Sequence, residues 1–331
     1  MSTNPTDIAW LGHRLGCFLK NTGGTADVWV DRVQEADSTL TIPTENYFEL
    51  GNVSQIGITQ APAEFRFVLR QNLHSSEMDH ILAGGSGSPS GQFTIGDMIA
   101  NVAVQASIVA RATGATDPSY EWVYTGNTIA ELSYEFVINA ACTTSATLQG
   151  RAGNFYTSGS LVHTTWGAFN TVSPGGINGK DMRVFFGSVG NGRVYRVQRC
   201  LSRTTFPVQT VKELGNRTIV GLLADTPTTT VEFDLIPADV QPLDVLFDIV
   251  GTGYNLGQPK LVDMYGILYD PTAAEAATPI KYFKWENVQA TGGTPIRAQV
   301  RALATTRYTL QVTKATTLAS GGVLISTTSI A

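Results

Sequence analysis

Two stretches of this chain match each other at one fixed offset. Arg32-Val33-Gln34, Ser38, Thr41, Pro43 and Glu49-Leu50-Gly51-Asn52 recur as Arg196-Val197-Gln198, Ser202, Thr205, Pro207 and Glu213-Leu214-Gly215-Asn216 (196 − 32 = 164; 213 − 49 = 164). Aligned without gaps, the two 21-residue windows share ten identities, where unrelated residues of ordinary usage would share about one. A unit written twice folds into two copies of one architecture. The chain therefore reads as a first domain at 1–150, a connection at 151–174 rich in Gly, Ser, Thr and Asn, and a second domain at 175–331.

The matches beyond the window give the architecture. Cys17-Phe18 corresponds to Val184-Phe185 (184 − 17 = 167), and Thr143-Thr144 and Thr147-Leu148-Gln149 recur as Thr305-Thr306 and Thr309-Leu310-Gln311 (305 − 143 = 162). Offsets that drift this little leave room for loop changes between fixed strands only. Phe65, Phe67 and Leu69 alternate with polar residues, as do Val231, Phe233 and Leu235, the period-two pattern of strands with one face on a core. Val28-Trp29-Val30, Val194-Tyr195, residues 56–58 and 219–223, and the pairs 132–139 with 143–149 and 296–303 with 305–312 complete the expected strands. Asp97-Met98 and Asp263-Met264 match at 166 and read as a further strand in each half. One short helix is expected per half: Met78, Ile81 and Leu82 on one face after a Ser75 or Ser76 cap, and Leu243, Leu246, Phe247 and Val250 up to Gly251. Residues 34–47 and 198–211 are polar and broken by proline, which predicts extended hairpin arms rather than core strands. The expected class is mainly β: two tandem sandwich or barrel domains, each with one short α-helix.

Little in the sequence speaks for chemistry. Of 331 residues only 15% are charged, with net charge −5 and pI near 5.4, so no basic surface for gripping nucleic acid is expected. Residues 1–10 hold no apolar leader, and no run approaches the ~18 apolar residues of a membrane span; neither export nor membrane insertion is expected. Cys17, Cys142 and Cys200 are an odd number without CxxC spacing and read as buried, reduced thiols. Gly175 to Asp181 has Pro174 where a phosphate loop needs glycine and Asp181 where it needs Ser or Thr. His13, His74, His80 and His163 are scattered, and Asp79/Asp244 and Glu49/Glu213 pair only across repeats, so no nucleophile, acid–base pair or metal set converges. Asn52-Val53-Ser54 and Asn216-Arg217-Thr218 fit turns after glycine better than glycosylation. The expectation is no enzyme and no cofactor.

A polar hairpin arm, a β-sandwich with a short docked helix, an N-terminal arm and no catalytic motif together resemble the tail tube proteins of long-tailed bacteriophages, whose fold is shared with type VI secretion tubes. The duplication resembles more narrowly the siphophage tube proteins with two fused tube domains, as in T5-like phages. The likeness spans roughly residues 8–150 and 175–315 and leaves the Ser/Thr-rich stretch 318–331 unexplained. It implies stacked rings of six tube domains, hence three copies of this chain per ring, around a channel that DNA passes without specific binding. It also implies a place in the virion tail after assembly in the host bacterial cytoplasm, with tape measure, tail terminator and distal tail proteins as partners. Candidate contacts between rings are Ser38, Thr41, Pro43 and Glu45 with Ser202, Thr205, Pro207 and Gln209; candidate lumen residues are Glu64, Glu232 and Asp234. Another tail ring or baseplate component, or a tandem carbohydrate-binding or adhesion module, are the alternative readings.

Overall fold

A computed structural model of the chain describes residues 15–21, 27–48, 55–60, 62–73, 76–85, 91–112, 115–167, 177–189, 192–194, 196–214, 218–236, 246–250, 255–270, 279–297, 305–313 and 322–330. In the first half the elements run β1 (Leu15–Asn21), β2 (Asp27–Trp29), β3 (Val33–Thr41), β4 (Thr44–Phe48), β5 (Gln55–Gln60), β6 (Glu64–Asn72), α1 (Glu77–Leu82), β7 (Gln92–Thr94), α2 (Ile95–Ala100), β8 (Val104–Ala110), β9 (Tyr120–Val137), β10 (Thr143–Gly150) and β11 (Ala152–Thr157). In the second they run β12 (Met182–Phe186), β13 (Arg193–Val194), β14 (Val197–Thr205), β15 (Val208–Val211), β16 (Gly221–Ala224), β17 (Thr228–Leu235), β18 (Phe247–Val250), β19 (Asn255–Pro259), β20 (Val262–Tyr269), β21 (Pro279–Arg297), β22 (Thr305–Val312) and β23 (Val323–Ser326). The protein is mainly β.

The two halves are paired strand for strand in the same way. β1–β2, β1–β8, β8–β9, β9–β10, β10–β6, β6–β3 and β4–β5 recur as β12–β13, β12–β20, β20–β21, β21–β22, β22–β17, β17–β14 and β15–β16, all antiparallel. Even the irregularities repeat. A bulge breaks β3 between Val33 and Glu35 and β14 between Val197 and Arg199, and another breaks β9 beside Thr147/Leu148 and β21 between Ala290 and Gly292. Bulges turn a strand and increase its twist, and here they let the 18-residue β9 and the 19-residue β21 each serve two layers. The first part of β9 lies between β8 and β11, and its last part pairs with β10.

Alternation decides which side of each layer is dry. On β6, Phe67, Leu69 and Gln71 are buried while Arg66 and Arg70 are exposed; on β17, Val231, Phe233 and Leu235 are buried between partly exposed Thr230, Glu232 and Asp234. Helix α1 closes the first sandwich with Met78, Ile81 and Leu82 buried. With fewer than two turns it has no independent stability, and its last carbonyls, those of Ile81 and Leu82, accept from the buried Asn101 amide at 3.0 and 3.1 Å. Gly84, at φ 86°, ends it in the left-handed conformation. One core cluster, from Leu19 and Phe67 through Phe136 to Phe233 and Trp285, runs through both halves.

Several local expectations differ from this. Asp97-Met98 is not a strand but lies in α2, held by a capping box: Asp97 N–H donates to Thr94 Oγ1 at 3.0 Å and Thr94 N–H to Asp97 Oδ2 at 2.9 Å. Of the helix expected at Leu243, Leu246, Phe247 and Val250, only Leu246 is helical among the described residues, and Phe247–Val250 is β18, paired with β19; the apolar spacing there fitted both periods, and Leu243 lies outside the described residues. The partner of β22 is β21, whose described residues reach Arg297; residues 298–303 of the strand expected over 296–303 lie outside the described residues. Residues 152–157, inside the stretch read as connection, form β11 against β9. The stretch 318–331 contains β23, which pairs with β21 on one side and with β7 of the first half on the other.

Candidate functional site

The two halves meet by strand pairing. β14 lies antiparallel to the last part of β9 over seven residue pairs, from Arg199 opposite Val137 to Thr205 opposite Glu131. This joins β3-β6-β10-β9 to β14-β17-β22-β21 as one eight-strand layer. β14 was expected to be part of a polar arm; instead Cys200, Ser202 and Thr204 are buried because β9 covers that edge. Ser202, a candidate contact between rings, is 2% exposed and accepts from Trp285 Nε1 at 2.9 Å, so it belongs to the core. Beneath the joint, Phe283 meets Tyr134 and Phe136 edge-on at 4.9 and 5.5 Å between ring centroids, contacts worth ~0.5–1.5 kcal/mol each beyond their buried area. Buried Lys281 of β21 pairs with buried Asp79 of α1, which also accepts from Tyr134 Oη. Burial, and then the Asp79 charge and hydrogen bond, hold the Tyr134 phenol well above its ordinary pKa.

The surfaces used at this joint occur a second time, uncovered. Ala36 lies opposite Leu69 as Cys200 lies opposite Phe233, so β3 is the counterpart of β14. Leu40 is 54% exposed where its counterpart Thr204 is 3% exposed, and Ser38 is exposed where Ser202 is buried. Ile108 and Gly266 are matched through Cys17 and Val184, and they lie opposite Trp122 and Phe283. In the second half Phe283 and Trp285 are fully buried. In the first half Ser38, Leu40, Trp122, Tyr124 and Phe155 line an open groove, with Phe155 52% exposed. Among the described residues no strand pairs with the outer edge of β3, nor with that of β21 beyond Val288. An unpaired edge beside exposed aromatic surface is a template for another strand.

The eight-strand layer also has a polar face turned from the core. Across the joint, Arg199 pairs with Glu135 at 2.9 Å and Arg203 with Glu131 at 3.1 Å; one layer further, Arg307 holds Asp234 through two bonds at 2.6 and 2.8 Å. That hydrogen bond and the Asp234 charge raise the Arg307 pKa further. Two of the candidate lumen residues, Glu232 and Asp234, lie on this face, and Glu64 stands at its rim, paired with Lys212 at 3.2 Å. Among the described side chains of these eight strands, Glu35, Asp37, Glu64, Glu131, Glu135, Glu232 and Asp234 stand there against Arg66, Arg70, Arg199, Arg203 and Arg307, a formal balance of 5 − 7 = −2. The joint pairs were not singled out from sequence. Their signal lay in the non-identical positions of the repeated window, where Glu35 stands against Arg199.

The other candidate arm residues lie at or near two hairpins. Ser38 and Thr41 are exposed on β3, Pro43 is in the turn after it, and Glu45 is on β4, which with β5 forms a separate two-stranded ribbon. Thr205, Pro207 and Gln209 are exposed at the end of β14 and the start of the β15–β16 ribbon, which also exposes Leu214 and Leu223. Neither ribbon is part of the main sheet.

Titratable groups elsewhere have structural settings. Glu121, fully buried, accepts from Val162 N–H at 2.7 Å and His163 N–H at 3.1 Å and meets His163 Nδ1 at 2.5 Å, while the His163 ring stacks on Phe18. Burial alone would raise the Glu121 pKa; the His163 hydrogen bonds and charge and the Val162 N–H outweigh it and leave it below the ordinary value. The three cysteines are free and buried. Burial raises all three thiols, Cys142 and Cys200 to about 12, so none is a thiolate nucleophile at neutral pH. Among the described residues no cluster of His, Cys, Asp and Glu could hold a metal, and no helix is long and apolar enough to cross a membrane.

No protein-family model matches the sequence, and no curated protein matches it. Among solved structures, the chain is similar to a chain of the anti-feeding prophage baseplate, at 14% identity and TM-score 0.33 over 48% of this chain and 99% of that one. It is also similar to a chain of the anti-feeding prophage tube-terminating cap, at 12% identity and TM-score 0.32 over 48% and 96%. Superpositions this partial carry no statement about function.

Proposed function

We propose that the chain is a structural subunit of a phage-type tail tube, in which three copies close a ring and rings stack into a conduit for a genome. The observation that carries this reading is the β9–β14 joint, because its two surfaces recur uncovered at opposite ends of the chain. A second copy can place its β21 on β3 and repeat between chains the contact that each chain makes within itself. A head-to-tail contact of this kind closes a ring when its rotation permits, and closure removes every open edge. The number three follows from the six-domain rings of the tube proteins the sequence resembles, and gives a wall of 24 strands (3 × 8).

The polar face of that wall would line the channel, with Glu232 and Asp234 on it and Glu64 at its rim. Its nearly balanced charge suits a path along which phosphates slide, since unpaired basic residues would hold them. The β4–β5 and β15–β16 ribbons stand outside the wall and would reach the neighbouring rings. The ends of the tube would meet tape measure, terminator and distal tail proteins, with assembly in the host bacterial cytoplasm before incorporation into the virion. Cryo-electron microscopy of the concentrated protein tests this: tubes of variable length with threefold and approximate sixfold cross-sections are expected. Six whole chains per ring, or a protein that stays monomeric, would sink the proposal; single rings that never stack would make it a ring or baseplate component instead.

A further inference from the structure

We propose that Lys281 and Asp79 become joined by an amide bond, with Tyr134 as the hydroxyl that activates the carboxyl, so that α1 of the first half and β21 of the second are tied covalently. The proposal is independent of the ring reading, since every group it needs lies in one chain. Lys281 Nζ contacts Asp79 Oδ2, and Tyr134 Oη donates to the other oxygen, Oδ1. The side chains of Lys281 and Asp79 are 3% and 2% exposed, and the ammonium lies 5.2 and 5.3 Å from the ring centroids of Tyr134 and Phe283. A primary amine held against a carboxyl group away from water is the reactant pair of amide formation. Fixed geometry of this kind is equivalent to a reactant concentration of roughly 10⁵–10⁸ M.

The lysine is not a product of the duplication. Lys281 stands opposite Leu268 and Leu268 opposite Met182, while in the first half Tyr120 stands opposite Ala110 and Ala110 opposite Leu15. The first half therefore has Tyr120 at the Lys281 position, and the amine is particular to the joint. Two buried charges lose their hydration, and their attraction repays that loss only in part; an amide removes both charges and keeps Oδ1 as an acceptor for Tyr134.

The step balances without a further reactant. A proton passes from the Lys281 ammonium to Asp79 Oδ2 along their contact, leaving an amine beside a carboxylic acid. The amine lone pair forms a bond to Asp79 Cγ while the Tyr134 hydrogen bond takes up the charge growing on Oδ1. The Cγ–Oδ2 bond then breaks, and Oδ2 leaves as water with the proton it holds and a second one from the nitrogen; nothing is oxidised or reduced. Tyr134 keeps its own proton throughout, as a phenol held well above its ordinary pKa by burial and by the Asp79 charge does. A chain that has not yet taken this step holds Lys281 and Asp79 as an ion pair, and the energetics of two buried charges apply to that state.

In the test, the full chain is synthesised cell-free, sampled over time, weighed intact under denaturing conditions and then digested with trypsin. The expected product is one water lighter than the sequence mass, with residues 71–111 and 261–284 recovered as a single branched peptide through Asp79 and an uncleaved Lys281. Lys281→Arg keeps a cation but offers no nucleophilic amine, so it should retain its full mass. Tyr134→Phe should form the bond about a hundred- to a thousandfold more slowly. Circular dichroism of each chain reports folding. A wild-type chain that is folded yet keeps its full mass would overturn the proposal, as would a branched peptide that persists in Lys281→Arg. Bond formation at the wild-type rate in a folded Tyr134→Phe chain would overturn the role given to Tyr134.

Discussion

Arg196 shows what the strongest identity in the sequence is for. Arg32 and Arg196 both take positive φ, 56° and 61°, a conformation costing a residue with a Cβ roughly 1–2 kcal/mol. The same bonds hold both: Gln34 and Gln198 side-chain amides donate back to the Arg32 and Arg196 carbonyls at 3.1 Å, and Asn72 and Ile236 N–H donate to those carbonyls, also at 3.1 Å. The repeated Arg-Val-Gln is therefore a bulged entry into β3 and β14, legible as a repeat though not as a bulge. Arg196→Val should lower stability by about 1–2 kcal/mol because a β-branched residue tolerates this region worst, and Arg196→Gly should cost little or nothing. Urea unfolding measures both; equal losses would show that side-chain contacts of Arg196 matter and φ does not. Glu121 gives a pH signature. Its pKa is lowered in the folded state, so its contribution is present above the ordinary carboxylate range, about 4, and is lost as pH falls through the folded value. The melting-temperature gap between wild type and Glu121→Gln should be widest near neutrality and close in acid, and a gap independent of pH would refute it. Nothing in the spacing of Glu121 and His163 announced this pair, since they meet only when residues 160–167 fold over β1 and β9.

At the scale of elements, strands with one dry face were readable and those with a covered edge were not. The alternation of Phe67 and Leu69 or Val231 and Phe233 reports burial of a face. β14 reads as polar because its outward residues are Arg199, Arg203 and Thr205, and its central place comes from edge pairing with β9, which leaves no mark on composition. Short helices were equally ambiguous: α1 follows its apolar spacing, whereas the same spacing at Leu246 and Phe247 turns into β18. The hairpin arms expected at 34–47 and 198–211 fall on β3 with β4 and on β14 with β15, so each takes in one strand of the main sheet and only one strand of a ribbon; the ribbons themselves give an element-level prediction. Replacing residues 209–223 by a short Gly-Ser turn removes most of β15–β16 with exposed Leu214 and Leu223 and leaves Phe206 and β17 in place. Rings should still close but no longer stack, and sedimentation with negative-stain microscopy separates the two states. Full-length tubes from this variant would remove the ribbon from the ring-to-ring contact.

For the whole molecule, a buried ion pair and a buried phenol lie beneath the joint between halves. Lys281, Asp79 and Tyr134 come from β21, α1 and β9, three elements whose residue patterns do not announce their meeting. A buried pair contributes less than its Coulomb energy suggests, because both charges lose water, yet breaking one partner leaves the other stranded. Lys281→Met should therefore cost about 3–5 kcal/mol, whereas Lys281→Met with Asp79→Leu should recover much of it. Guanidinium unfolding of the four chains closes the cycle, and a double variant costing the sum of the singles would show that the two groups act independently. What the duplication did make legible at this scale is that both halves share one topology. How they dock was not legible, because it depends on residues the repeat does not share.

β23 adds a consequence in time. Gly91 beside β7 bonds to Thr327 beside β23 across 236 residues of chain. A ribosome adding roughly 5–20 residues per second needs on the order of ten to fifty seconds to cover that interval. Throughout it the first half can fold, yet the seam at β7 stays unsewn until residues 323–326 have left the ribosome. A chain interrupted anywhere before that point lacks the stitch, so only synthesis past residue 326 locks the two halves in register.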